Sequence, residues 1–255
     1  SGHFPAALEM LNQAALMVVG HFLPAGFKPD HEAVIVIEQD GNDAEQVLLQ
    51  LAEMVEILDG VDNRVAQTEA ERAGIWNARR QFGAVLVEQR KNVFSEDIGV
   101  PISKIPEMVH RFQSLAEKHG ISMPTVAHAG DGNLHPTLVF EEEQRHLVGP
   151  IAAQIFRDAV ELGGTVSAEH GLGALKRDFA ALEHSPAEIG WWRKLKDLYD
   201  PLGILNPHKI FPEQPADKHL LDSQPGCGQK VAHGRYRAAV STQGFPLTPR
   251  SCAMP

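Results

Sequence analysis

Cysteine is almost missing from this chain. Its 255 residues include two, Cys227 and Cys252, both near the C-terminal end. They can build neither a disulfide framework nor a thiolate zinc site. Positive charge is also scarce: 23 basic against 33 acidic residues leave a formal net charge of −10, which argues against a nucleic-acid surface. So acidic a protein needs a local Arg, Lys or metal if it is to hold an anion. Long apolar runs are lacking too. The greasiest stretch, Ala14 to Leu23, is broken by Gly20 and His21, well short of a membrane span. No basic segment followed by an apolar stretch and cleavage site is apparent, so the expected compartment is the cytoplasm. The chain opens Ser-Gly-His-Phe-Pro without an initiator Met, which reads as an internal start. What is present, 43% hydrophobic and 22% charged residues, suits a soluble globular protein with a sizeable core.

Periodicity predicts alternating helices and short strands. Leu8, Leu11, Ala15 and Val18 fall at helical spacing, giving a helix over Pro5 to Val19. Val34 to Glu38 is a β-branched strand. Asn42 and Asp43 then cap a helix to about Leu58, with Val47, Leu48, Leu51, Val55 and Leu58 on one face. Val61 to Gln67 reads as a return strand, Thr68 to Phe82 as a helix, and Val93 to Val100 as extended chain. A helix from Ser103 to about His119 ends at Gly120. Two strands flank Asp131-Gly132, a helix fills Glu143 to Leu162, and Gly163-Gly164 leads into a strand over Thr165 to Ala168. Helices near Leu172 to Ala180 and over Pro186 to Tyr199 complete an α+β sheet covered by helices. The domain is expected over residues 1–216. Over 217–255 Gly, Pro, Ser and Gln accumulate, and no acidic residue follows Ser223, so an irregular or disordered tail is expected.

The segment richest in chemistry is His128-Ala129-Gly130-Asp131-Gly132-Asn133-Leu134-His135. Asp-Gly between two apolar runs signals a hairpin. A turn centred on that pair, with a loop of two residues or four, makes His128 and His135 cross-strand partners on one face, with Cβ atoms roughly 5 Å apart. Two imidazoles so placed can share a divalent metal, or they can simply be a partly buried histidine pair. Farther on, Glu169-His170-Gly171-Leu172-Gly173 follows the expected strand. Glu169 can complete a set of two His and one carboxylate with an open position, as catalytic metals have, or it can cap the next segment. His170 would then be available for proton transfer.

These motifs, with Asp200-Pro201 and Leu205-Asn206-Pro207-His208-Lys209, resemble the C-terminal domain of the FAD-linked oxidases, whose members include D-lactate and D-2-hydroxyglutarate dehydrogenases and the flavin subunit of glycolate oxidase. The resemblance runs from about Phe4 to Pro212. It implies an antiparallel sheet flanked by helices, with metal ligands His128, His135 and Glu169 and a catalytic base at His170. Trp76-Asn77-Ala78-Arg79 resembles the family's Trp-x-x-Arg helix, which implies that Arg79 holds the substrate carboxylate. Asn206 would lie where the chain returns toward the flavin. Members acting on hydroxyglutarate carry a Thr, a Lys and an Asn where this chain has Gly83, Ser95 and Thr137. That departure favours a smaller monocarboxylate such as lactate or glycolate.

The implied cofactors are FAD, held mainly by an N-terminal domain that this chain lacks, and a divalent metal, Zn²⁺ before Mn²⁺ or Fe²⁺. The implied partners are a small 2-hydroxy acid and a flavin-binding domain in cis or in trans. Nucleic acid and a transmembrane segment are not expected, and a homo-oligomer is left open. Without the flavin domain the chain alone is expected to be inactive. Two other readings use the same ligands: a silent metal- or hydroxy-acid-binding fragment, and a flavin-independent metalloenzyme.

Overall fold

Asn12 sets the first junction of the fold. The computed structural model describes residues 2–22, 31–89 and 92–212; the tail expected over 217–255 lies outside the described residues. The helix expected over Pro5 to Val19 is instead a strand, β1 (Ala7–Asn12), followed by a helix, α1 (Gln13–Val19). Asn12 caps α1 by accepting from the N–H of Ala15 at 3.0 Å. It also accepts from the N–H of Thr125 at 2.9 Å and donates to the carbonyl of Met123 at 3.2 Å. Helical spacing misled here because β1 lies inside the sheet and is covered on both faces. Adjacent Met10 and Leu11 are therefore both buried, without the alternation that marks a half-exposed strand.

The following elements are β2 (Ala33–Glu38), α2 (Ala44–Ile57) capped by Asp43, and α3 (Glu69–Gln89). On α2 the buried residue is Met54, while Leu48, expected on the inner face, is exposed. Residues 61–67 form no strand. Their polar groups close local bonds: Asn63 Nδ2 donates to the carbonyl of Val61, and the N–H of Gln67 to the carboxylate of Glu71. Such side-chain partners compete with a ladder.

Next come β3 (Val93–Ser95), β4 (Ile98–Gly99), α4 (Ile105–His119), β5 (Thr125–His128), β6 (Asn133–Val139) and α5 (Val148–Glu161). The expected helix start at Glu143 is a 3-10 turn, Glu142–Leu147. The order β2-β1-β5-β6-β3 is antiparallel throughout, and β4 pairs with β6 beside β3.

Thr165 to Ala168 is not a strand. It makes one bridge, Thr165 to Gly99, because the N–H groups that follow turn to a carboxylate, described below. Gly164 permits the approach: a Cβ there would lie 2.0 Å from the carbonyl oxygen of Gly99. The helix expected near Leu172 to Ala180 is a 3-10 turn, Arg177–Phe179, running into the short α6 (Ala180–Glu183). The last helix, α7 (Pro186–Tyr199), starts on the Ser185–Glu188 capping box.

The sheet has two covered faces. On one, Ile98, Leu134 and Leu138 pack with Met108 and Phe112 of α4 and Ile155 and Phe156 of α5. On the other, Leu11 and Val126 pack with Leu16 of α1 and with Phe82 and Leu86 of α3. Phe82 and Leu86 stand one helical turn apart, and the same stripe carries Arg79 one turn earlier.

Candidate metal centre

The hairpin register differs from expectation by two residues. His128 faces Asn133, and His135 faces Val126. A two-residue type I′ turn needs positive φ at both central positions, but only Gly132 has it. The loop is Ala129 to Gly132. Its ties are the N–H of Gly130 to the carbonyl of Leu8 (3.1 Å), the N–H of Asn133 to Asp131 Oδ1 (3.1 Å), and the N–H of Val100 to the carbonyl of Gly132 (2.9 Å). An even shift keeps both histidines on one face. They are diagonal neighbours, with ring centroids 5.5 Å apart and ring planes nearly perpendicular.

Glu169 arrives from the segment running beside β4. His128, His135 and Glu169 each offer a ligand atom, all within 4.8 Å of one another. His135 Nε2 lies 3.2 Å from Glu169 Oε1. Burial holds the His135 imidazole below its usual pKa, with Glu169 opposing, so the ring is neutral near pH 7, as metal ligation requires. His128 directs Nδ1 to Glu9 Oε1 at 2.6 Å, leaving Nε2 for a cation. A carboxylate behind a ligating imidazole is the usual support of such sites. The donor set therefore fits a divalent metal.

His170 sits against this trio. Its ring stacks on His135 with centroids 5.3 Å apart, its Nε2 is 3.4 Å from Glu169 Oε1, and 56% of its side chain is exposed. Arg79 pairs through Nε with Glu9 Oε2 at 2.8 Å, its one ion pair among the described residues. Asn206 has a left-handed backbone (φ +45°) in an exposed loop, held by bonds from Ile210 N to Gly173 O and from Arg177 to the carbonyl of His208. Among the described residues no hydrogen bond joins Asn206 to the histidine cluster.

Two carboxylates bonded to the candidate site residues escaped the sequence reading. Glu9 is one. The other is Asp97, fully buried. Its oxygens accept from Ser167 Oγ (2.7 Å) and from the N–H groups of Ala168 (2.8 Å), Glu169 (3.0 Å) and His170 (2.9 Å). Lys176 Nζ stands between Asp97 and Glu96, 3.4 and 3.3 Å from their carboxylates. Burial opposes ionisation of Asp97, but the donors from Ser167, His170 and Glu169, with Lys176, outweigh it and hold this carboxyl well below the usual range. For Glu96 burial prevails over Lys176 and pushes the carboxyl up. The visible signal was a pair of acids, Glu96-Asp97, inside an otherwise apolar extended run.

Among the described residues no helix is long and apolar enough to cross a membrane. Residues 1–210 match the family model of the FAD linked oxidases, C-terminal domain. The glycolate oxidase subunit GlcD of Bacillus subtilis is 36% identical over 212 residues, covering 81% of this chain and 45% of that protein. A D-lactate dehydrogenase of Anaerostipes hadrus is 32% identical over 222 residues, covering 81% and 46%. The chain thus spans about half the length of these relatives. Among solved structures, a 4-ethylphenol oxidase of Gulosibacter chungangensis shares the fold at a TM-score of 0.54 and 17% identity, over 81% of this chain and 48% of that one. Motifs, sheet and family match agree, and the chain belongs to the C-terminal domain family of the FAD-linked oxidases.

Proposed function

We propose that this chain is the substrate- and metal-binding half of a flavin-dependent dehydrogenase that oxidises a small D-2-hydroxy acid, of the lactate or glycolate type, to the 2-oxo acid. The observation that carries the reading is the convergence of His128, His135 and Glu169 within 4.8 Å, with His170 stacked on one ligand and Arg79 tied to another through Glu9. A divalent cation held there would supply Lewis-acid polarisation of the substrate hydroxyl and carboxylate, and FAD, bound by a flavin domain in cis or in trans, would take up the two electrons lost at C2.

The chain's own residues do the rest. Arg79 keeps Nη1 and Nη2 for the substrate carboxylate, a geometry suited to bidentate pairing. His170 has an exposed ring beside the ligand Glu169 and accepts the hydroxyl proton. Asp97 fixes the backbone from Ser167 to His170, so the ligand Glu169 and the base His170 hold one relative position.

Substrate size follows from a pair of hydroxyls. Ser95 and Thr137 are register partners across β3 and β6, and Thr137 Oγ1 donates to Ser95 Oγ at 3.1 Å. Neither carries a charge to receive a second carboxylate.

Metal content measured after dialysis against excess Zn²⁺ tests the reading, together with calorimetric titration of D-lactate. One ion per chain, acid binding that requires the ion, and loss of the ion in His135→Ala at least tenfold are expected. Equal metal content in wild type and variant would overturn it.

A further inference from the structure

We propose that Glu9 is a positioning residue that couples the cation site to the substrate-carboxylate site. The proposal rests on the reading of His128 and Arg79 above and adds the link between them.

Glu9 lies on β1 directly opposite His128 on β5, in the interior of the sheet. Only 10% of its side chain is exposed. Each of its oxygens has its own donor: Oε1 meets His128 Nδ1 at 2.6 Å and Oε2 meets Arg79 Nε at 2.8 Å. The carboxylate cannot turn toward one without leaving the other. Both donors are held on rigid elements. Arg79 is on α3, whose Phe82 and Leu86 are packed under the sheet against Leu11 and Val126, the residues two positions along β1 and β5 from Glu9 and His128.

Three consequences follow from this geometry. A hydrogen bond to Glu9 fixes the His128 tautomer with its proton on Nδ1, so the Nε2 lone pair faces outward for a cation. End-on pairing at Nε leaves both Nη groups of Arg79 for an anion. Finally, the charge that makes His128 a better donor is shared with Arg79. A change at Arg79 must therefore be felt at the cation, although Arg79 is not a ligand.

The test uses the full chain and Zn²⁺ alone. In Glu9→Gln one amide oxygen and one amide nitrogen replace two acceptors, and Zn²⁺ affinity should fall by about tenfold to a hundredfold. Arg79→Gln should change Zn²⁺ affinity severalfold in the wild-type background and leave it unchanged in the Glu9→Gln background. A Zn²⁺ affinity of folded Glu9→Gln equal to wild type, or an Arg79→Gln effect of the same size in both backgrounds, would overturn the proposal. A measurement on the unaltered protein guards against a variant that does not fold. The ¹⁵N imidazole spectrum of the metal-free chain should show His128 protonated at Nδ1; protonation at Nε2 alone refutes the link. His135→Ala is the control. If it keeps its zinc, the site reading itself fails, whereas zinc lost in His135→Ala but retained in Glu9→Gln sinks only the coupling.

Discussion

Asp97 builds the loop that presents Glu169: its Oδ1 accepts the N–H of Glu169 at 3.0 Å and that of Ala168 at 2.8 Å, from inside the protein. A carboxylate here takes the place of the strand that Thr165 to Ala168 would otherwise have joined. Removing it leaves four donors and the Lys176 ammonium short of an acceptor. Asp97→Ala should cost about 3–5 kcal/mol of stability, the range for breaking a buried charge pair, read from urea unfolding. Asp97→Asn should fold better yet bind Zn²⁺ more weakly, since its amide NH₂ points a donor at donors. Wild-type zinc affinity in Asp97→Asn would show that the loop keeps its shape without the charge.

The lowered His135 pKa gives a stability slope with a definite sign. Its folded-state value lies below the ordinary 6.5, chiefly through burial. On acidification the unfolded chain takes up this proton first. The contribution of His135 is therefore complete above about pH 6.5 and is lost as pH falls through that value toward the folded-state pKa. Glu96 works in the opposite direction: its raised carboxyl stabilises most at low pH and loses that contribution as pH rises through its folded value. Comparing the metal-free wild type with His135→Gln cancels the Glu96 term. The variant should lose less stability between about pH 7 and 5.5, as followed by thermal melts in EDTA. Parallel curves would mean that His135 titrates normally.

Much of this site was legible because chemistry-bearing residues sat close together in sequence. His128 and His135 flank one turn, so a two-residue register error preserved their shared face; an error of one would have separated them. Glu169 and His170 are neighbours. Glu9 and Asp97 were hidden for the opposite reason: their partners lie 119 and 70 positions away, at His128 and Ser167. Reading Pro5 to Val19 as a helix also masked Glu9, since only a strand puts it on the inward face with Leu11. Where capping was local, as in α7, the expected and observed bounds coincide. The strand expected over Val61 to Gln67 has only two β-branched residues, Val61 and Val65, and a strand also needs a partner edge, which depends on the whole sheet.

Ser95 and Thr137 make a specificity prediction. Their hydroxyl pair brings no charge of its own, and Gly83, one turn after Arg79, has open space where a Cβ would stand. With Zn²⁺ present, D-lactate or glycolate should bind better than D-2-hydroxyglutarate. The triple variant Gly83→Thr, Ser95→Lys, Thr137→Asn should reverse the order, because an ammonium supplies an ion pair for the distal carboxylate. Calorimetry with the three acids checks this. Equal wild-type affinity for all three would remove Ser95 and Thr137 as determinants of size.

Gly132 ties the hairpin to β4 and tests the loop geometry directly. Its φ is +83°, and a Cβ there would lie 2.0 Å from the carbonyl oxygen of Val100, whose N–H donates to the carbonyl of Gly132 itself. Alanine faces a left-handed backbone and a collision with main chain, neither of which a rotamer change relieves. The loss in Gly132→Ala should be about 2–4 kcal/mol, above the usual cost of the φ alone. The strain falls between His128 and His135, so zinc affinity should drop in the fraction that stays folded. A Gly132→Ala chain with wild-type melting temperature would mean the loop can adopt another turn. In that case the diagonal placement of the two histidines would not depend on this glycine, and their spacing would be set by the strands alone.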